Sequence, residues 1–190
     1  HDSPVYHGDW QLDGMKYASF SLALLEALRY LDWKIDILHA NDWHTALAVH
    51  ALATTYKDDP FFAGIKTVLS VHNLPYNGWG SQDAMNLLGF TASTDPDLPD
   101  WAKFTPLPMG IASADRIIAV SPGYSREILT PDYGCGMEGY LQKHVDKVLG
   151  ILNGIDEDQW NPADDEAISH NFDIERLSER VKNKLDLQKA

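Results

Sequence analysis

In Asp36-Ile-Leu-His-Ala-Asn-Asp-Trp-His44 a short apolar stretch ends in an asparagine, an aspartate, a tryptophan and a histidine. The same build recurs at Thr67-Val-Leu-Ser-Val-His72-Asn73 and at Val148-Leu-Gly-Ile-Leu-Asn153. Histidine and asparagine side chains offer neutral hydrogen-bonding groups. Open parallel α/β sheets place such groups at the carboxyl ends of strands, facing helix N-termini. Three strand ends of this kind suggest one shared rim. A metal reading of His39, His44 and His50 finds no cysteine or carboxylate at ligand spacing, so no metal is expected.

The elements that must hold this rim alternate along the chain. Met15, Ala18, Leu22, Leu25 and Leu28 recur at helical spacing and mark a helix over about residues 13–31. Ile35 to His39 reads as a buried strand, and Asn41 or Asp42 can cap a second helix ended by Asp58-Asp-Pro60. Lys66 to Val71 is β-branched and apolar, a second strand. From Leu74 to Pro108 prolines and glycines lie among aromatics, with a short helix expected near Gln82 to Leu88. Met109 to Ala114 reads as helix, Arg116 to Val120 as strand, and Ser121-Pro122 as a helix start. Thr130 to Gly139 is a glycine-bearing loop, Lys147 to Leu152 a further strand, and Asp173 to Leu187 a helix with Ile174, Leu177, Val181 and Leu185 on one side. Alternating strands and helices with short links give the fold class: α/β, a Rossmann-like parallel sheet with helices on both faces.

The 190 residues suit one α/β domain. A net charge of -13 argues against a nucleic-acid partner, because no basic stripe is present to displace counterions from phosphates. Asp156 to Glu166 carries six carboxylates and no base, which reads as a solvated loop whose spacing does not fit a calcium site. Cys135 is the single cysteine, so no internal disulfide exists and a reducing compartment fits. No membrane span and no signal peptide is read. The chain opens on His1, and no strand precedes the first long helix, so truncation is expected.

Five segments in order resemble the N-terminal half of bacterial glycogen synthases and plant starch synthases. They are His39-Ala-Asn-Asp-Trp-His44-Thr-Ala, Val71-His-Asn-Leu-Pro-Tyr-Asn-Gly78, Ala114 to Ile128, Thr130 to Gly139, and Gly150-Ile-Leu-Asn-Gly-Ile-Asp156 with Trp160-Asn-Pro. The resemblance implies the acceptor-side half of a two-domain GT-B glycosyltransferase over residues 1–190, with 173–190 as a connector helix toward a nucleotide-binding domain. It implies transfer of glucose from ADP-glucose to the non-reducing end of an α-1,4-glucan (glycogen, starch, maltooligosaccharides), with retention. Positive charge grows on the sugar ring as the diphosphate leaves, and prearranged neutral polar groups stabilise it. No cofactor is implied.

By the same resemblance His44 is the catalytic-site histidine lining the sugar pocket, with its main-chain carbonyl facing the reacting carbon. His72, Asn73, Tyr76 and Gly78 fall on the acceptor side, and Asn153 meets a sugar hydroxyl. Tyr76, Trp79 and Trp101 offer aromatic faces to sugar rings. Asp13 and Lys16 stand where the family has an acid and an arginine, and lysine does not replace arginine's bidentate geometry. The family's glycine-rich Lys-x-Gly-Gly-Leu is absent, and Leu107-Pro-Met-Gly110 replaces its usual Leu-Lys-Ala-Gly. The expected compartment is the bacterial cytoplasm, or the plastid stroma for a plant parent. Alone, the 190 residues are expected to be inactive. Two alternatives remain open at this point, a related transferase with another sugar nucleotide and a non-catalytic glucan-binding module.

Overall fold

The computed structural model describes residues 4–189. Its elements run α1 (Trp10–Tyr30), β1 (Ile37–Asn41), α2 (Asp42–Ala53), β2 (Lys66–Val71), α3 (Gln82–Leu87), α4 (Pro106–Ser113), β3 (Arg116–Ala119), α5 (Tyr124–Glu127), α6 (Glu138–Lys143), β4 (Val148–Gly150) and α7 (Arg180–Leu187). All four strands are parallel and lie side by side in the order β1-β2-β3-β4. Residues 1–152 form one compact unit and 153–190 a second.

In the first unit, one sheet face carries Leu38, Ala40, Leu69, Val71, Ile117 and Ala119, all buried. On the opposite face Ile37, His39, Asn41, Arg116 and Leu149 are exposed, while Val68 and Ile118 are half-buried. The α/β class and the parallel sheet stand, but the cover is unequal where helices on both faces were expected. Consecutive right-handed crossovers between neighbouring strands all fall on the same side, which accounts for the difference. The buried side is closed by α2, whose Trp43, Leu47 and Val49 lie in the core with Leu107, Met109 and Ile111 of α4. At Gly110 a Cβ would come within 2.6 Å of Ala46 Cβ and 2.9 Å of its carbonyl oxygen, so α4 sits directly on the α2 backbone.

Local chemistry moves several boundaries. Helix α1 starts at Trp10 rather than 13, because Asp9 accepts hydrogen bonds from the Gln11 and Leu12 amides. Strand β1 runs two residues further than expected, which carries His39 inside the strand and leaves Asn41 at the rim. Helix α2 ends at Ala53, well before Asp58, where Thr54 Oγ1 donates back to the His50 carbonyl. Ser121 does begin a turn, its Oγ accepting from the Tyr124 amide, although regular helix begins only at Tyr124.

In the second unit a short 3-10 turn at Leu177–Glu179 leads into the helix α7. The expected helix from Asp173 is shorter, because the Asp173 carboxylate accepts from the Arg176 amide and guanidinium and closes a local turn instead. Ile174, Leu177, Val181 and Leu185 are all exposed. Within Asp156 to Glu166, Asp156 Oδ1 accepts from the Asp158 and Gln159 amides, a self-bonded surface turn.

Candidate active site

The β1-to-α2 turn sets the geometry. Asn41 is extended and Asp42 has a φ of +51°, a left-handed value uncommon outside glycine that aspartate tolerates better than most. Neither side chain caps its own helix. Asp42 Oδ1 accepts from the His72 amide at 2.8 Å and from the Asn73 amide at 3.4 Å. Asn41 Oδ1 pairs with His72 Nε2 at 3.0 Å. Thr45 Oγ1 accepts from the Asn41 amide and donates to its carbonyl, which locks the turn. The end of β1 is thereby bolted to the end of β2. From the other side, the Tyr124 hydroxyl accepts from the Leu74 amide at 2.9 Å.

His44 stands in the first turn of α2 inside an aromatic cage. Its ring lies 4.5 Å from Tyr17, 4.8 Å from Trp43 and 5.5 Å from Tyr6, centroid to centroid. Its Nε2 is 2.6 Å from the Tyr6 hydroxyl. Burial pulls the His44 pKa below its ordinary value, against the opposing charges of Asp42 and Asp13. The ring is therefore neutral near pH 7. Its main-chain carbonyl lies 3.5 Å from the Ser21 hydroxyl, which donates to it from α1.

Beside His44 a cavity of about 420 Å³ is lined by Tyr6, Asp42, Trp43, His44, Asn73 and Tyr76. A second, of about 200 Å³, is lined by Tyr6, Gly8, Trp10, Asp13 and Tyr76. Tyr6 and Tyr76 are common to both. The two hollows thus mix aromatic faces with fixed polar groups, the composition that suits a polyhydroxylated ring. Among the described residues, the buried indole Nε1 of Trp43 has no hydrogen-bond partner.

The expected site residues separate into groups. His44, Asn73 and Tyr76 share one hollow, and Asp13 lines the next. The His72 ring is turned to Asn41 at the strand end. Gly78, buried with a φ of +83°, lies under the cage: a Cβ there would meet Trp43 Cε3 and Pro106 Cγ at 2.8 Å. Trp79 is exposed on the loop, and Trp101 packs against Gly136 of the glycine-bearing loop. Asn153 is exposed in the second unit. Asp13 and Lys16 bond the loop 4–7, with Lys16 Nζ donating to the Pro4 and Val5 carbonyls. Burial pushes the Asp13 carboxyl up, yet bonds from His7 and the Lys16 charge outweigh it and hold the pKa below its ordinary value. His39, His44 and His50 pair with Ser70, with Tyr6, and with Ser113 and Thr91 respectively, so the three point to separate partners.

Sequence reasoning missed Tyr6, Tyr17 and Trp10. Tyr6 lies in a loop without periodicity and meets a partner 38 residues away, so no local pattern marks it. Asp42 was visible only as a possible cap.

The fold and the rim define an α/β domain with hollows of aromatic and polar side chains near the carboxyl ends of parallel strands. The profile described as "Starch synthase catalytic domain" matches residues 1–143, and the chain belongs to this family. It is 38% identical to a glycogen synthase of Thermodesulfovibrio yellowstonii over 95% of the chain, which spans 37% of that relative. It is 40% identical to a glycogen synthase of Lactococcus lactis subsp. lactis over 99% of the chain and 41% of the relative. Among solved structures, the catalytic domain of Starch Synthase IV from Arabidopsis thaliana bound to ADP and acarbose superposes with a TM-score of 0.71 at 30% identity. That superposition covers 93% of this chain and 37% of the other.

Proposed function

We propose that this chain supplies the acceptor-side part of a retaining glucosyltransferase that extends an α-1,4-glucan from ADP-glucose. The observation that carries the reading is the neutral, caged His44 on the wall of an aromatic hollow, in a chain of the starch synthase family. As the sugar–diphosphate bond lengthens, positive charge develops on the ring. A neutral imidazole adds no opposing charge, and its fixed dipole and the surrounding oxygens stabilise the developing cation. Asn73, held by the Asp42 bond to its amide, presents its carboxamide to sugar hydroxyls. Tyr76 stacks on the ring next along the glucan, with Trp79 beyond it. Asn153 offers its carboxamide to a sugar hydroxyl, and Trp101 acts further out on the glucan.

The glycogen synthase relatives and the ADP and acarbose bound to the starch synthase favour a nucleotide sugar and a glucan as partners. No described helix is long and apolar enough to cross a membrane. The compartment follows the substrate, the bacterial cytoplasm or a plastid stroma.

The test is transfer of labelled glucose to maltooligosaccharide by the intact reading frame that contains these residues, with ADP-glucose and UDP-glucose assayed side by side. Chain elongation from ADP-glucose supports the reading. Preference for UDP-glucose replaces the donor, and glucan binding without turnover replaces catalysis with a binding role.

A further inference from the structure

We propose that Tyr6 is a positioning residue for His44, fixing the tautomer and the orientation of the imidazole that walls the hollow. The contact is short: the phenol oxygen lies 2.6 Å from Nε2. Bonds from N–H donors to oxygen span roughly 2.7–3.2 Å, whereas O–H donors reach about 2.5–3.0 Å. The distance therefore fits a phenol that donates. A neutral imidazole has one donor and one acceptor nitrogen, so an accepting Nε2 leaves the proton on Nδ1.

Tyr6 is held for this task on both sides. The Val5 carbonyl accepts from the Tyr17 hydroxyl at 2.6 Å and from Lys16 Nζ at 3.1 Å, and Lys16 also reaches the Pro4 carbonyl at 2.7 Å. After Tyr6, the His7 amide donates to the two Asp13 oxygens at 2.9 and 3.2 Å, and His7 Nδ1 lies 2.9 Å from Asp13 Oδ1. The Tyr6 ring is stacked on Trp43 at 6.5 Å and stands edge-on to Tyr17 at 6.3 Å. Asp13 and Lys16 thus act on His44 through the loop they anchor, with Tyr6 as the delivered group.

The charged and titratable groups around the ring make this anchoring matter. Asp42 from the strand turn and Asp13 from α1 both favour the imidazolium, and Tyr17 and Tyr6 are the neighbouring phenols. An imidazolium has no lone pair on Nε2 to accept from Tyr6, so a bond donated by the phenol is one that the neutral ring makes. The catalytic consequence rests on the functional reading above. The tautomer does not.

The test is long-range ¹H–¹⁵N correlation of the histidine side chains in the ¹⁵N-labelled chain across about pH 5 to 8. His44→Gln assigns the signal, and His50 serves as the internal control. The expected wild-type result is one tautomer with the proton on Nδ1. Tyr6→Phe is expected to mix the tautomers and move the His44 titration, with the His50 signals unmoved. Lys16→Met, which frees the loop and also removes the cation 5.4 Å from the Tyr17 ring centroid, is expected to give a smaller change in the same direction, and it serves if Tyr6→Phe folds poorly. A wild-type proton on Nε2, or a His44 titration identical in both variants, would overturn the proposal. The expected spectra together with no glucosyl transfer by the intact frame would keep this inference and remove the functional one.

Discussion

The two ends of α2 carry one histidine each, and they are built for opposite purposes. His50, at the deep end, is 1% exposed, and both its nitrogens are bonded, Nδ1 to Ser113 Oγ at 3.0 Å and Nε2 to the Thr91 carbonyl at 2.9 Å. His44, at the rim end, is half-buried, and among the described residues its ring is hydrogen-bonded to the exposed Tyr6 alone. Burial lowers the pKa of each. The same residue type at a spacing of six is thus a brace at one end and the wall of a hollow at the other. What separates them is whether every hydrogen-bonding position is closed by the fold itself.

The largest expected effect comes from breaking the brace. His50→Ala removes a buried ring from the packing under α4 and its bonds to Ser113 and Thr91, and it should cost about 2–4 kcal/mol in denaturant unfolding. At the other end, Gly78→Val forces a β-branched residue to a φ of +83° and presses on Trp43, the floor of the cage. That strain and overpacking should cost roughly 1–3 kcal/mol and disturb His44 before His50. Removing the rim tie by Asp42→Ala should be milder, on the order of 1 kcal/mol, because water can replace a bond to the exposed His72 and Asn73 amides. Hydrogen exchange would show the loosening confined to the rim.

The smallest effect is a pH dependence. Both histidines have folded pKa values below the ordinary value of about 6.5, so below it the unfolded chain binds more protons than the folded one. Stability then falls as pH falls, and the melting temperature should be lower at about pH 5.5 than at about 7.5. Asp13, whose folded pKa is also depressed, contributes stability that is lost only at more acid pH. His50→Gln should flatten the neutral-range slope more than His44→Gln, since His50 is the more deeply buried.

The same contrast explains how much the sequence disclosed. Strand β2 was legible to its exact bounds because Lys66 to Val71 is β-branched, apolar and covered by neighbours on both sides. His44, Asn73 and Tyr76 could be singled out because each sits beside a strand end with turn residues next to it, and the structure brings the three to one hollow. The bonds that shape the site were hidden, since Asp42 to His72 spans 30 residues and Tyr6 to His44 spans 38. Asp13 and Lys16 were singled out by type and position, while their hydrogen bonds to the loop 4–7 were hidden, because sequence does not show where that loop lies. The unequal sheet was foreshadowed in β1, where Ile37, His39 and Asn41 alternate with Leu38 and Ala40, but five residues were too few to separate alternation from a buried run.

The central claim is that His44 belongs to a glucosyl-transfer site and His50 to the fold. Steady-state transfer from ADP-glucose by the intact reading frame, measured for His44→Ala and His50→Gln at a temperature where both remain folded, tests it directly. The expected result is a loss of about 100-fold or more for His44→Ala and a change within roughly threefold for His50→Gln. Full activity in His44→Ala, or an equal loss in both variants, would contradict it.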